Sequence, residues 1–310
     1  MSLPLRLKAD LALAAVVLVW GTSFVMVKEA LADASPLMFL LLRFGLASLV
    51  LLPLFGRRLN WRAPGVARAG LVVGFLLFAG FVFQTVGLQH TTPTKSAFIT
   101  SLSVPLVPLL LAGLFPRQLR LGALLGIATA TAGMYFLTIP ADSFSVGRGD
   151  LITLFCAVGF ACHIVALGRY APRYGFASIA AWQVLAAFAL VLVTAPVAGL
   201  TGLASLEVQW TGKLLFALGV TAVLGTALAF SVQAWAQQYT SPTHAAVLFS
   251  LEPVFAAAFS YLVVGERLSG RGLLGAGLIL AGVLVTELAG NSAPADQGGA
   301  EAAANPAAKE

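Results

Sequence analysis

The sequence predicts an all-α integral membrane protein, with ten transmembrane helices arranged as two inverted five-helix repeats around a central cavity. Three observations predict it: an apolar composition, ten separate apolar runs of spanning length, and an internal repeat containing an odd number of runs. Of 310 residues, 59% are hydrophobic and 10% charged, with a mean hydropathy of +0.95, against roughly 25% charged in an average soluble domain. So few charges cannot clothe a water-soluble fold of this size, and the apolar majority must face lipid. The net charge of +6 and pI of about 9.7 do not point to nucleic acid. The charges sit in short gaps between apolar runs rather than along one stripe.

A hydrocarbon core about 30 Å thick needs roughly 20 residues of helix. Cutting the chain where charge, Pro and Gly cluster gives runs at 10–27, 36–55, 67–88, 92–115, 120–138, 150–169, 178–196, 213–237, 242–264 and 270–288. The resulting organisation is a cytoplasmic N-terminus 1–9, a five-helix unit 10–138, an external linker 139–149, a second unit 150–288 and a disordered cytoplasmic tail 289–310. Arg6 and Lys8 precede a first span that is expected to stay uncleaved. Trp20 interrupts any compact signal core, and the charged Lys28 and Glu29 precede the cleavage-like Ala30-Leu31-Ala32. With both ends cytoplasmic, the inner segments carry eleven basic residues and the outer ones five, Lys28, Arg148, Lys213, Arg267 and Arg271. That excess supports the orientation, although Arg267 and Arg271 in the last outer loop run against it.

Sliding the chain on itself by 149 residues aligns Gln84–Leu137 with Gln233–Thr286 without a gap. Gln84, Gln89, Thr91, Pro93, Thr94, Ala97, Ser101 and Leu102 fall on Gln233, Gln238, Thr240, Pro242, Thr243, Ala246, Ser250 and Leu251; Gly126 and Gly133 fall on Gly275 and Gly282. A weaker match at a shift of 140 puts Asp10-Leu11 on Asp150-Leu151. Because five spans separate equivalent positions, the second half must enter the membrane from the opposite side. Inverted repeats of this kind build two interconvertible states around a midplane site in many secondary transporters.

Ionisable groups inside apolar runs are expensive and therefore functional candidates. Glu252 stands near the middle of span nine beside Pro253, and its equivalent Ser103 near the middle of span four beside Pro105. Pro253, Pro105 and Pro108 free the carbonyls of Phe249, Ser101 and Val104, so both helices are expected to kink at mid-membrane. Lys95 and His244 lie one turn into the same spans, on the faces that carry Ser103 and Glu252; lining the pathway and snorkelling to the headgroups are equally open to them. Arg43 is seven residues into span two, where it can bind a substrate anion or, more simply, pair with helix-end carbonyls, Glu29 or Asp33. His163 is expected as a hydrogen-bonded core residue, and Asp10 and Asp150 as helix caps. Among the aromatic residues, Trp20, Phe98 and Phe249 are candidates for an apolar wall near these groups. Cys156 and Cys162, six apart in one run, are expected as small buried hydrophobes.

No phosphate-cradling Gly-rich loop, His-Glu-x-x-His or Gly-x-Ser-x-Gly occurs, so nothing suggests ATP hydrolysis, zinc proteolysis or acyl transfer. Gly147-Arg148-Gly149-Asp150 matches the Gly-x-Gly-Asp pattern of intramembrane aspartyl proteases, but no second intramembrane Asp accompanies it. Instead, Trp20-Gly21-Thr22-Ser23-Phe24, Arg43-Phe44, Leu251-Glu252-Pro253-Val254-Phe255 and Gly265-Glu266-Arg267-Leu268 resemble the EamA-type transporters of the drug/metabolite transporter superfamily. The resemblance covers residues 10 to 288. The first half has Val104-Pro105 and Pro116-Arg117 at the corresponding places, so the acid is on one half only. The resemblance implies ten helices around a central cavity, alternating access, and export of amino acids or other small metabolites and drugs from the bacterial cytoplasm. A Lys early in span four is also similar to the superfamily's phosphate-sugar carriers, without their matching cation pair.

The expectation is therefore an inner-membrane secondary transporter, not an enzyme, that exports a small amphipathic metabolite, with amino acids the leading class. A facilitator without ion coupling and a carrier of phosphorylated or sugar metabolites are the alternatives within transport. A receptor lacks a soluble output domain here, and an intramembrane enzyme lacks paired catalytic groups. The expected partners are the substrate and the lipid bilayer, with protons as candidate co-substrate and no nucleic acid, metal or cofactor; monomer and homodimer are both open. Glu252, Ser103, Lys95, His244, Arg43, Trp20, Phe98 and Phe249 are the candidate binding or coupling residues, and Pro105, Pro108 and Pro253 the candidate kinks.

Overall fold

Backbone N–H and C=O groups in apolar surroundings must be bonded within their own segment, so long apolar runs fold as helices. A computed structural model describes residues 4–56, 63–114, 121–139, 147–264 and 269–289, and among these it is helical apart from short turns and connections. The elements are α1 (Leu5–Ala30), α2 (Pro36–Phe55), α3 (Val66–Gln89), α4 (Pro93–Ser101), α5 (Ser103–Leu114), α6 (Leu121–Thr138), α7 (Arg148–Tyr174) and α8 (Phe176–Leu200). They continue with α9 (Gly212–Gly219), a π-helical segment (Val220–Leu228), α10 (Ala229–Ala236), α11 (Pro242–Phe249), α12 (Glu252–Val264) and α13 (Gly270–Ala289). Eight stretches are long and apolar enough to cross a membrane, counting α4 with α5, α9 with the π segment and α10, and α11 with α12 as one stretch each; α6 and α13 are shorter apolar helices.

The boundaries differ from the predicted runs where charge marks the membrane surface without stopping the helix. α1 starts at Leu5 rather than residue 10, and α7 and α8 continue to Tyr174 and Leu200 through Pro172 and Pro196. Asp10 is consequently not a cap but lies inside α1. Asp150 does cap α7, its carboxylate accepting from the Gly147 N–H at 2.9 Å. Gly175, at φ +80°, makes the single-residue turn from α7 into α8 that a side chain would disfavour. The predicted tail from residue 290, Gly265-Glu266-Arg267-Leu268, Pro116-Arg117 and most of the 139–149 linker lie outside the described residues.

Helix ends that carry unpaired carbonyls are tied to neighbours. The Lys28 ammonium at the end of α1 donates to the carbonyls of Leu88, Gln89 and Thr91 at 2.7, 3.0 and 2.9 Å, closing the C-terminus of α3. Asp33 accepts from Thr211 Oγ1 at 2.5 Å, and the Ser35 N–H donates to the Glu207 carbonyl at 3.0 Å, fastening the loop before α9. Large apolar side chains such as Leu49, Phe75, Phe155 and Val193 are exposed on the outside of the bundle, a surface suited to lipid.

α6 and α13 pack backbone to backbone through four glycines. A methyl group on Gly126 would lie 2.7 Å from the Gly282 carbonyl oxygen, and one on Gly133 would lie 2.7 Å from that of Gly275. Gly126 and Gly133 are the repeat equivalents of Gly275 and Gly282, so the seam pairs each half's first glycine with the other half's second. Close approach of this kind replaces the hydrophobic drive that is absent between helices in lipid. Gly275→Ala is expected to cost about 1–3 kcal/mol of stability, whereas Gly277→Ala on the same helix, with nothing within 4 Å of the added carbon, is expected to cost none; thermal unfolding in detergent separates the two.

Candidate functional site

Two departures from regular helix position the site. The α4/α5 helix is interrupted at Leu102 and the α11/α12 helix at Ser250-Leu251, just ahead of Pro105 and Pro253. The Leu102, Ser250 and Leu251 N–H groups turn to carbonyls three residues back, at 3.1 Å each, a tighter turn that leaves carbonyls without their usual partners. The second departure is the π segment Val220–Leu228, whose widened turn lets Thr226 Oγ1 donate to the Thr221 carbonyl at 2.8 Å and leaves the Gly225 carbonyl facing inward. π turns of this sort recur at functional sites because they redirect a few backbone groups without ending the helix.

The Gly225 carbonyl accepts from Trp20 Nε1 at 2.9 Å and from Arg43 Nη2 at 3.4 Å, while Arg43 Nε donates to Thr226 Oγ1 at 2.8 Å. The Arg43 guanidinium also lies 4.3 Å from the centre of the Phe81 ring, a cation–π contact strengthened by burial. Neither Glu29 nor Asp33 pairs with it. Phe81 stands edge-on to Phe160 and Phe230, and Trp20 contacts Phe230 and Phe249 at 5.3 and 5.4 Å between ring centres.

Trp20, Arg43, Phe81, Phe160, Phe230 and Phe249 line one cavity, with about 740 Å³ of space between the atoms, its open part included. It reaches from mid-bundle between α1, α3 and α4 up to Val27 and Leu88, beneath the Lys28 tie. Glu252, Ser103, Arg43, Trp20 and Phe249 all line it. Glu252 is 7% exposed and Arg43 3%, and among the described residues neither forms a salt bridge. Gly21 permits α1 to pass the helix interruption, since a methyl there would lie 2.8 Å from the Glu252 carbonyl oxygen. Lys95, His244 and Phe98 do not line this cavity: the two cations face aspartates, and Phe98 packs near Val104, Met134 and Tyr135. His163 hydrogen-bonds Gln183 at 2.8 Å and also borders the cavity. Cys156 is buried against Thr100.

The sequence reading missed Gln84, Gln233, Phe160 and Phe230 as lining residues. A signal existed. The lining residues Phe81, Gln84, Thr100 and Ser103 fall on the lining residues Phe230, Gln233, Phe249 and Glu252 at the 149 shift; Trp20, Ser23 and Phe24 fall on Phe160, His163 and Ile164 at the 140 shift.

The match to known proteins is consistent with this architecture. The EamA-like transporter family model matches residues 7–139 and again 147–288, and the chain belongs to that family. It is 37% identical to an "uncharacterized transporter" of Archaeoglobus fulgidus, over 85% of this chain and 80% of that one. It is 28% identical to the "uncharacterized inner membrane transporter YedA" of Escherichia coli K12, over 83% of each chain. A solved crystal structure, 21% identical, superposes with a TM-score of 0.75 over 91% of this chain and 96% of that one, sharing the fold. The protein is thus a multi-pass membrane transporter.

Thr226→Val removes both the acceptor for Arg43 Nε and the bond that shapes the π turn. It is expected to cost about 1–3 kcal/mol because a buried charged donor loses its partner, and Thr226→Ser is expected to restore most of it; chemical or thermal unfolding in detergent measures both.

Proposed function

We propose that this transporter exports amino acids or closely related small amphipathic metabolites across the cell's inner membrane by alternating access. The observation that carries the reading is the presence, in one aromatic-walled cavity, of a buried carboxylate and a buried guanidinium with no salt bridge to either among the described residues. An uncompensated buried charge costs several kcal/mol. A zwitterion compensates both at once, its ammonium at Glu252 with Ser103 beside it and its carboxylate at Arg43. The apolar part of the ligand then lies among Trp20, Phe230 and Phe249, the usual division between orienting polar groups and an apolar wall.

Alternating access is supported by features that recur in both halves: the helix interruptions at Leu102 and Leu251, the reciprocal glycine seam of α6 and α13, and the matched lining residues. These support two inverted five-helix units, 10–138 and 150–288. With the N-terminus cytoplasmic, as the basic residues favour, the cavity's extension toward Lys28 lies on the external side. Glu252 also suits proton exchange when no substrate is bound. A dianionic phosphorylated substrate is disfavoured, because among the described residues Arg43 is the one Lys or Arg bordering this cavity and a carboxylate shares it.

Uptake of a panel of labelled amino acids into everted membrane vesicles tests the reading. Glu252→Gln and Arg43→Gln are each expected to lower kcat/KM about 10- to 100-fold, the range for losing a charged hydrogen bond, with Glu252→Asp less affected. If Glu252→Gln carries every amino acid at the wild-type rate at all pH values, the assignment is wrong. Collapsing the proton gradient separates the mechanisms: a coupled exporter stops accumulating substrate, and a facilitator is unaffected.

A further inference from the structure

Outside the cavity, two ion pairs stand at opposite ends of the bundle. Asp10 Oδ1 lies 3.1 Å from His244 Nε2, and Asp150 Oδ2 lies 3.7 Å from Lys95 Nζ. They are copies of one another. The 140 shift takes Asp10 to Asp150 and the 149 shift takes Lys95 to His244. In each, an acid near the start of one half's first helix meets a cation one turn into the other half's interrupted helix. The local frames match as well: Thr92 Oγ1 accepts from the Lys95 N–H at 3.2 Å and Ser241 Oγ from the His244 N–H at 3.1 Å, each followed by a proline in the first turn. Thr91 adds a hydroxyl donor to Asp150.

Both pairs are closed at once in a conformation whose cavity extends toward one end only. Each also begins a contact that runs on through mid-bundle. From Asp10–His244, Leu13 and Val17 of α1 share a core cluster with Ala245, Ala246 and Phe249 of α11, and Gly21 then meets the Glu252 and Ala256 backbone of α12. From Asp150–Lys95, Cys156 of α7 lies 3.6 Å from Thr100 of α4, and Ala161 and Ile164 then meet Val107 of α5 in the same cluster, through which the two contacts also pack on each other. A gate would be a contact confined to one mouth. These contacts are not confined, and opening one end would shear the whole length.

The geometry points to the two pairs as struts rather than gates: we infer that Asp10–His244 fixes α1 to α11/α12 and Asp150–Lys95 fixes α7 to α4/α5. The two bodies then move against each other with both pairs intact. The seam between them at the Asp10 end is closed where Pro242 of α11 abuts Gly168 of α7, a methyl on which would lie 2.5 Å from the Pro242 ring. At the other end, the cavity occupies the space between α1 and α4. Lys95 and His244 are thereby positioning residues for the moving parts and make no contact with substrate. The inference rests on the alternating-access reading.

The test uses the full-length transporter with Cys156→Ala and Cys162→Ser, in everted vesicles, carrying the cysteine pair Asp10→Cys/His244→Cys, Asp150→Cys/Lys95→Cys or Gly168→Cys/Pro242→Cys, each joined by a short reducible cross-linker. Amino-acid uptake is expected to survive either strut cross-link, at a rate equal to or above that of the reduced protein, and to be abolished by the seam cross-link until reductant is added. In parallel, Lys95→Met is expected to lower the maximal rate about tenfold with the half-saturating concentration unchanged, and Lys95→Arg to restore it. Loss of uptake on strut cross-linking, or continued uptake through a joined seam, overturns the inference while leaving the transport reading intact. A wild-type rate in Lys95→Met overturns it as well. Absence of uptake in the reduced, uncross-linked protein would instead defeat the underlying reading and the inference with it.

Discussion

Every structural peculiarity of this protein follows from one constraint: hydrocarbon offers a backbone no hydrogen-bonding partner. Regular helix meets it along α1 and α3 and, up to the last turns that hold Pro53, Pro172 and Pro196, along α2, α7 and α8. The interruptions at Leu102 and Ser250-Leu251 sit against the cavity, and the π segment at Val220–Leu228 lies behind the lining residues Trp20 and Arg43. The carbonyl most displaced by the π turn, Gly225, is at once engaged by Trp20 and Arg43. A polar chamber in an apolar bundle is therefore built from backbone defects and from the side chains that those defects hold.

The same constraint explains how the bundle coheres. Between helices in lipid the apolar side chains gain little by meeting each other, so close packing and polar ties must do the work. Glycine supplies the first along α6 and α13, and again where Gly74 of α3 meets Ala186 of α8 and Gly87 meets Thr153 of α7. Lys28 supplies the second at the end of α3, where three carbonyls share one ammonium. Charge within the bundle is placed with similar economy: half-buried Lys28, Lys95 and Asp10 and buried Asp150 and His244 act at helix ends or between helices, and buried Arg43 and Glu252 border the cavity.

Much of this was legible in the residues because the relevant signals are local. Proline beside a mid-span polar residue announced both helix interruptions, and an acid in Leu251-Glu252-Pro253 announced the cavity. The four glycines of the seam are equivalents at the 149 shift, but nothing local in the residues said that they meet each other. What stayed hidden was set by tertiary geometry. No proline or unusual composition marks Val220–Leu228, so the π turn, and with it the partner of Arg43, could not be anticipated; Asp33, a plausible partner by sequence distance, is taken by Thr211. Asp10 and His244 lie 234 residues apart, and only the packing of α1 on α11 unites them. The lining role of Gln84 and Gln233 was missed because a lone Gln in an apolar run reads as noise until its repeat copy is seen to face the same space.

The deepest consequence of the repeat is the place where it fails. Some equivalent lining positions hold similar residues, Phe81 with Phe230, Gln84 with Gln233 and Trp20 with Phe160, and others differ without charge, as Thr100 does from Phe249. The charges break the pattern. Glu252 answers to Ser103, and Arg43 answers, at the 140 shift, to Gln183, which is turned to His163 instead. A scaffold with two equivalent halves offers a ligand two equivalent orientations, and equal binding in both orders nothing. Placing the acid on one half and the guanidinium on the other removes that degeneracy for the zwitterion proposed above, because reversing it would set like charge against like. On the proposed alternating-access reading, the near-symmetry of the halves supplies the two states, and the two unmatched charges supply the ligand's one direction within them.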